Sequence, residues 1–446
     1  MPVITEQSPV MFEDVLPEAA DVVVIGGGIA GVATSYFLAK HGLKVVLCEK
    51  GRVAGEQSSR SFGWIRQQGR DERELPIMME SNRIWRGLAE ETGEADLKFT
   101  ESGSYYMAES NASLASYQQW SELARNHDLD TRMLSAKEIR DKFPDFKGDF
   151  LGGMVTPSDG RGNNFTAVAA LGRATQRLGV TMTENCAVRT LDMQAGRIAG
   201  VVTEKGRIAC DKVVLAAGAW STHFAANMGV NLPQLATCSS GARTEPCPEV
   251  FGENLSLDGL SFSRREDGGY TVSTSAHAVH HLSPSSFKYF TKFFALLKKS
   301  GRAVKLEPWA PKGFPGSWGA KRRWSGDEIS PFELMRVVNP SVPPTILSLI
   351  AKRIPERCPA LKDIKMAEAW TGLIDVTPDA VPTLGEDPAL KGLYIATGLS
   401  GHGFGIGPAI GRIVADMVRE VDPGHDVHSF RPTRFFDGSP INPGPY

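Results

Sequence analysis

The sequence predicts an α/β fold centred on a parallel sheet, and three junctions far apart in the chain predict it. Residues 21–26 (DVVVIG) form a short apolar run that is broken by Gly26-Gly27-Gly28 and followed by a small, apolar helical stretch at 29–41. Residues 212–220 (KVVLAAGAW) repeat the run and the glycine. Residues 392–397 (GLYIAT) do so again, ahead of Gly398-Leu399-Ser400-Gly401-His402-Gly403-Phe404-Gly405-Ile406-Gly407. Short β-branched runs that end in glycine and feed a helix are the sequence form of buried parallel strands with helical crossovers. In one sheet, the three junctions bring the start, middle and end of the chain together.

The first junction is the most complete. Residues 44–49 (KVVLCE) supply a second strand after a C-cap at Gly42, which closes a βαβ unit. Within it stands Gly26-x-Gly28-x-x-Gly31, with Glu49 at the end of the second strand, 18 residues past Gly31. Each part has a task in binding a dinucleotide. Gly26 permits the tight turn, Gly28 lets backbone approach a pyrophosphate, and Gly31 lets helix and sheet pack closely. Ile29 and Ala30 open the helix, whose unpaired N–H groups suit phosphate. Glu49 accepts hydrogen bonds from ribose hydroxyls and repels a 2′-phosphate.

Further along, helical patterns are expected at 76–92, 112–127, 135–142 and 165–178, and strands at 103–108, 184–191, 197–203 and 212–216. Asp267-Gly268-Gly269 between SFSRR and YTVST predicts a hairpin. Helices are expected at 285–299, 343–354 and 408–420, and no long linker separates the elements. Interleaved rather than serial domains follow.

Composition narrows the function. With 446 residues, 41% hydrophobic and 22% charged, the chain has enough apolar sequence for two or three cores. Its 49 basic and 51 acidic residues leave a net charge of -2, without the basic footprint of a nucleic-acid binder. The six scattered cysteines contain no C-x-x-C, so the expectation is a reducing, cytoplasmic setting without disulfide framework or metal site. The N-terminal residues lack the form of a secretory signal, and no apolar run has the length of a membrane span. The 46 glycines are the compositional oddity, and they cluster at the junctions.

The fingerprint alone does not separate FAD from NAD. The second glycine cluster does, through a resemblance. GLYIATGLSGHGFGIGPAIGRIVADMV resembles the C-terminal flavin-contacting segment of the D-amino-acid-oxidase superfamily, which includes glycine oxidase, D-amino acid dehydrogenase and monomeric sarcosine oxidase. Trp370-Thr371-Gly372 and Thr377-Pro378-Asp379-Ala380-Val381-Pro382 match the segment before it, and KVVLAAGAWS, with Gly218 and Trp220, matches the middle motif. The resemblance runs in order from about residue 21 to 420.

It implies a Rossmann-like FAD-binding domain from residues 20–95, 150–235 and 360–425. It also implies an interleaved α+β substrate domain, with a mainly antiparallel sheet, from 96–149 and 236–359, and terminal extensions at 1–19 and 426–446. Val188 would lie at the adenine side, Lys50, Ser58 and Ser59 near ribose and pyrophosphate, and Gly401, Gly403, Phe404 and Gly405 at the flavin's pyrimidine end. Fixed backbone dipoles there stabilise the negative charge of reduced flavin. The implied activity is FAD-dependent oxidation of the C–N bond of an amino acid or secondary amine by hydride transfer to flavin N5. The electrons then pass to oxygen or to another acceptor.

Departures from the family pattern shape the site. No cysteine stands in Trp370–Ile374, so noncovalent FAD is expected. Ile374 stands where glycine oxidase and D-amino acid dehydrogenase carry a carboxylate-binding arginine, and Gly405 stands where sarcosine oxidase carries a lysine. Arg66, in SFGWIRQQGRDERELP, matches the remaining anchor; Arg264, Arg265, Tyr270 and Arg336 are replacement candidates. His402 sits in the flavin loop, either to interact with reduced flavin or to order the loop. His277, His280 and His281 lack further ligands at metal-binding spacing. The aromatic, basic helix at 285–299 suits either packing or peripheral contact with a membrane. Two other classes stay open: a flavoprotein oxidising a C–OH bond, such as a 2-hydroxy acid dehydrogenase, and a flavin-binding subunit of a hetero-oligomeric dehydrogenase.

Overall fold

The computed structural model describes residues 3–257, 259–274, 278–300 and 304–444. Val22–Ile25 is flanked in parallel by Lys212–Leu215 and Val45–Cys48, so the three predicted junctions do share one sheet. Leu393–Thr397 adds in parallel beyond Lys212–Leu215, and Thr181–Thr183 beyond Val45–Cys48. Thr383–Glu386 closes one edge antiparallel. All four side chains of the central strand are buried, as expected of a strand covered on both faces.

The two faces are covered differently. Val22, Val24, Val45 and Leu47 pack under the helices Ile29–Lys40, Leu75–Thr92, Ala167–Arg177 and Gly403–Val418. Val23, Ile25, Val46 and Cys48 point the other way, toward Leu191, Val201 and Ile208 of a small antiparallel sheet and toward Trp220 and Phe332. The helices Ile29–Lys40 and Gly403–Val418 approach so closely that a Cβ on Gly411 would fall 2.4 Å from Ala33 Cβ.

A second sheet of ten strands is mainly antiparallel. Its long central strand Leu235–Thr244 pairs along its length with Met366–Val376. The predicted hairpin forms as Leu260–Arg264 against Tyr270–Ser273. Ile346, Ile350 and Ile354 of the helix Pro344–Arg357 pack on its face. Gly152–Thr156 and Met366–Val376 both belong to this second sheet, although they fall within ranges assigned from sequence to the nucleotide-binding unit.

Two helices differ from expectation. The predicted helix at 408–420 starts earlier, at Gly403, and so carries Pro408 inside it. Proline removes one helical N–H. The neighbouring Gly405 carbonyl accepts from Ser81 Oγ at 2.6 Å and from Trp85 Nε1 at 3.0 Å, which stitches the irregular turn to the helix Leu75–Thr92. The predicted helix at 285–299 is two pieces, Pro284–Lys288 and Phe290–Ser300. Tyr289 between them is buried with Phe293 and Leu296 against Val376 and Ala380.

Candidate cofactor and substrate site

The first glycine turn has the geometry its sequence requires. Gly26 has φ +111°, and a Cβ there would lie 2.5 Å from the Ala216 carbonyl oxygen. A Cβ on Gly31 would lie 2.0 Å from the Gly26 carbonyl oxygen. Gly28 faces open space, with Ser58 Oγ at 3.5 Å as the nearest atom to its missing Cβ. Ser58 Oγ accepts the Ile29 N–H at 3.0 Å. Gly26, Gly28, Ile29, Ala30 and Ser58 all line one long cavity. Gly31 and Ser59 stand behind that wall, Gly31 as the helix–turn contact and Ser59 as a fully buried side chain.

At one end the cavity is lined by Glu49, Lys50, Glu56, Val188, Trp220 and Arg336. Glu49 accepts the N–H groups of Gly27 and Gly51, each at 2.7 Å, and burial pushes its carboxyl up despite Lys50 and those bonds. Lys50, expected near ribose and pyrophosphate, lines this end beside Glu49; its Nζ is held by Glu56 Oε1 at 2.7 Å and by the Met335 and Arg336 carbonyls, and it lies 4.5 Å from the Trp220 ring centroid. Glu56 also accepts from Trp220 Nε1 and the Val338 N–H; these partners, Lys50 foremost, outweigh burial and hold its carboxyl low. Nothing in the sequence singled out Glu56, because its partners come from residues 50, 220 and 338.

Toward the other end the wall is built from Gly218, Gly372, Ile374, Asp375, Thr397, Gly401, Gly403 and Phe404. The Asp375 carboxylate accepts from the Gly398 N–H at 2.8 Å, Gln234 Nε2 at 3.0 Å and Thr397 Oγ1 at 3.2 Å, yet burial pushes its carboxyl up to about 6. Gly398 and Gly401 hold φ +69° and +82°, and the helix that begins at Gly403 turns its first N–H groups to this end. Gly405 is off the wall, tied by its carbonyl to Ser81 and Trp85.

The two residues proposed for chemistry also stand behind the wall. His402 Nδ1 lies 2.9 Å from Glu74 Oε2, and both side chains are buried. Burial, with the nearby charge of Arg70, pulls the His402 pKa down against Glu74, so the ring is neutral at pH 7. Arg66 Nη1 donates to the Gln68 carbonyl, and its guanidinium lies 5.8 Å from the Tyr106 ring centroid.

The replacement anchors are committed elsewhere. Arg336 lines the Glu49 end, paired with Glu204. Arg264 and Arg265 line a separate cleft, and Arg265 is held by Asp267 and two carbonyls. Tyr270 is a core residue whose hydroxyl donates to the Phe251 carbonyl. His277 lies outside the described residues. His280 bonds the Ala236 carbonyl and Ser286, and no group of three or more metal-ligating side chains occurs among the described residues.

A strand-end carboxylate, a glycine turn at a helix N-terminus and a second helix N-terminus on the same cavity define a dinucleotide-binding protein. The profile of the family described as FAD dependent oxidoreductase matches residues 21–417, and the chain belongs to that family. It is 25% identical to glycine oxidase of Bacillus subtilis over 92% of this chain and 96% of the relative. It is 26% identical to human mitochondrial sarcosine dehydrogenase over 94% of this chain but only 42% of that longer protein. Among solved structures, L-amino acid deaminase from Proteus myxofaciens in complex with anthranilate superposes with a TM-score of 0.91, at 30% identity and over 96% and 97% of the two chains. FAD, the family's cofactor, fits the cavity. The turn at Gly26–Ile29 leaves room beside Gly28 for a pyrophosphate, and the joined ends accommodate nucleotide and flavin together.

Proposed function

We propose that this chain oxidises the C–N bond of an amino acid or secondary amine with noncovalently held FAD. The observation that carries the reading is the continuity of one cavity from Glu49, past Gly28, to Gly401 and Phe404. Gly26, Gly28, Ile29, Ala30 and Ser58 would border the pyrophosphate, with Gly31 and Ser59 behind them supporting the turn. Glu49 would take ribose hydroxyls on the lone pairs its two backbone bonds leave free, with Lys50, Val188 and Trp220 around the adenine. Gly218 would border the middle of the cofactor, and Gly401, Gly403 and Phe404 its pyrimidine end, with Gly405 behind them tied to Ser81 and Trp85. Gly372 borders the cavity and offers no thiol for a covalent link.

When bound, FAD supplies the electron sink for the hydride of the substrate α-carbon. The chain's own part is to orient the amine, exclude water and keep the positive charge of an ammonium away. Arg66 and Arg70 stand near His402, whose ring is neutral, so this end favours an uncharged amine. The imine then leaves and hydrolyses.

Anaerobic mixing with a panel of amino acids and amines, followed by oxygen or an artificial acceptor, tests the reading. Bleaching of the flavin band by amines is expected. Bleaching by 2-hydroxy acids with none by amines would overturn it, and so would a protein that takes up no FAD.

A surface feature bears on the acceptor. Phe287, Phe290 and Phe294 are 63, 53 and 60% exposed, and Lys288, Lys292, Lys298 and Lys299 interleave with them. Trp318 lies 6.0 Å from Phe287 and 5.6 Å from Trp309 between ring centroids. No helix among the described residues is long and apolar enough to cross a membrane. This patch has the composition for peripheral membrane contact. Co-sedimentation with anionic phospholipid vesicles tests it.

A further inference from the structure

Asp375 stands where the two sheets meet. It belongs to Met366–Val376 of the second sheet, opposite Ala236. Its side chain is bonded to the strand end and glycine turn of the first sheet, with the Gly398 N–H at 2.8 Å and Thr397 Oγ1 at 3.2 Å from Oδ2. Gln234 Nε2 reaches the same oxygen at 3.0 Å. The Asp375 carbonyl also accepts the Ser400 N–H at 2.9 Å. Asp375, Thr397, Gly218 and Gly401 all line the cavity, and Asp375 is only 2% exposed.

A carboxylate buried this deeply ordinarily has a cation beside it. Asp375 makes no ion pair among the described residues, because the charged groups of the surrounding elements are committed elsewhere. On the flavin-side loop, His402 is held by Glu74. Beside Gln57–Ser59, Glu56 is held by Lys50 and Trp220, and Arg60 by the carbonyls of Gly55, Glu56 and Ile4. Just beyond the strand, Asp379 pairs with Arg434. On the paired strand Leu235–Thr244, Arg243 meets Glu368, and Cys238 is a buried thiol opposite Leu373. On the far side of that strand, His280 Nδ1 bonds the Ala236 carbonyl at 2.8 Å, and His281 shares a separate small cavity with Gln234. Tyr289 packs against Val376. Burial therefore dominates, and it pushes the Asp375 carboxyl up to about 6 in spite of the donors around it.

The bonds around Asp375 fit both of its protonation states. Gln234 Nε2 also donates to the Gly218 carbonyl at 2.8 Å, and a carbonyl only accepts, so the amide orientation is fixed. Thr397 Oγ1 lies 3.2 Å from the Gly218 carbonyl oxygen and 3.2 Å from Asp375 Oδ2, but a hydroxyl has one hydrogen. Pointed at Asp375, that hydrogen completes three donors around an anion. Pointed at Gly218, it leaves a lone pair facing a protonated Oδ2. Rotation of one hydroxyl accommodates the proton, and no heavy atom moves.

Reduction of FAD adds negative charge at the flavin's pyrimidine end, which the proposed function sets against Gly401, Gly403 and Phe404 on the same wall. A like charge close to a carboxylate favours its protonated form. We infer that Asp375 is the redox-linked proton acceptor of the flavin end: it binds one proton as FAD takes up two electrons, and releases it as FAD is reoxidised. In turnover the electrons come from the substrate, and the proton is the one its ammonium sheds on becoming an amine. With another reductant the proton comes from water. The inference rests on the proposed function only in the placing of the flavin end and in the source of the proton during turnover.

Midpoint potentials of the FAD-loaded enzyme, taken with redox dyes and without substrate at about pH 6.5, 7.0 and 7.5, test it. The wild-type potential is expected to fall with pH more steeply than that of Asp375→Asn by one proton per two electrons. That is about 30 mV per pH unit, the two-electron equivalent of a tenfold change. The reduced-minus-oxidised infrared spectrum of the wild type should gain a carboxylic-acid carbonyl band. If Asp375→Asn retains no FAD, Thr397→Val decides the matter: it removes the lone pair that receives the proton, and should shift or abolish the band. Equal slopes in wild type and Asp375→Asn, no such band in the wild type, or a band that Thr397→Val leaves in place overturns the inference. A slope difference in an enzyme whose flavin no amine bleaches overturns the amine reading and leaves the proton acceptor standing. Amine bleaching with equal slopes does the reverse.

Discussion

The Glu49 end of the cavity and the segment behind its Phe404 wall treat charge in opposite ways. Around Glu49 the cations are already matched: Lys50 meets Glu56, Arg336 meets Glu204, and Arg52 is held by the carbonyls of Ser8, Gly51 and Glu6. Behind the Phe404 wall, Trp64 Nε1 and Arg70 Nη1 have no partner among the described residues, although Arg70 Nε reaches the Arg66 carbonyl at 3.3 Å. A matched end offers a ligand shape, backbone groups and spare lone pairs, and its own side chains are stable without it. An unmatched end bears a desolvation cost that a ligand's charge would offset.

The largest effect is expected where backbone meets backbone. Gly31→Val would drive a side chain into the Gly26 carbonyl, and a loss of roughly 3 kcal/mol or more, with loss of bound FAD, should show in urea unfolding and flavin content.

Asp375 is next. Its folded carboxyl is raised to about 6 from an ordinary 3.8, so the folded state holds a proton that the unfolded chain has released. Wild-type stability relative to Asp375→Asn should therefore be greatest below about pH 4. It should fall as pH rises to about 6, by at most about 3 kcal/mol in total, and stay level above that. Denaturant midpoints at pH 4, 5, 6 and 7.5 check the slope, and parallel curves would show that Asp375 does not titrate there.

The comparison itself is sharpened by unpairing each end. Glu56→Gln leaves Lys50 half-buried with two carbonyls but no counter-charge, and should cost about 2 kcal/mol. Arg70→Gln removes a charge that lacks an ion pair, and should cost less than about 1 kcal/mol. Equal costs, measured by urea unfolding of both variants, would erase the distinction between the ends. The smallest effect belongs to the surface: Phe294→Ser should change stability by less than about 0.5 kcal/mol while lowering vesicle co-sedimentation.

Much of the cofactor end was readable in the sequence because its determinants are local. Gly26, Gly28, Gly31 and Glu49 lie within one βαβ unit, and the turn, the helix start and the strand-end acid form wherever that unit folds. The second glycine run was readable only in part. Gly398 and Gly401 adopt the left-handed turns that glycine signals, but Gly407 and Gly411 serve to pack one helix against another, and Pro408 concealed a helix that begins at Gly403. Ser81 and Trp85, which support that irregular turn, come from more than 300 residues away in the chain.

The sequence by itself determined the parallel sheet, the dinucleotide turn and, through its resemblance to a family, FAD and an oxidoreductase. Periodicity and glycine spacing are properties of neighbouring residues, and they survive in one dimension. The tertiary structure alone decided which charges are paired. Lys50 and Arg336 look as available in the sequence as Arg70 does, and Arg66 looked more so. Only burial and partners from distant segments neutralise the first two, commit Arg66 to a carbonyl, and leave Arg70 Nη1 without a partner among the described residues.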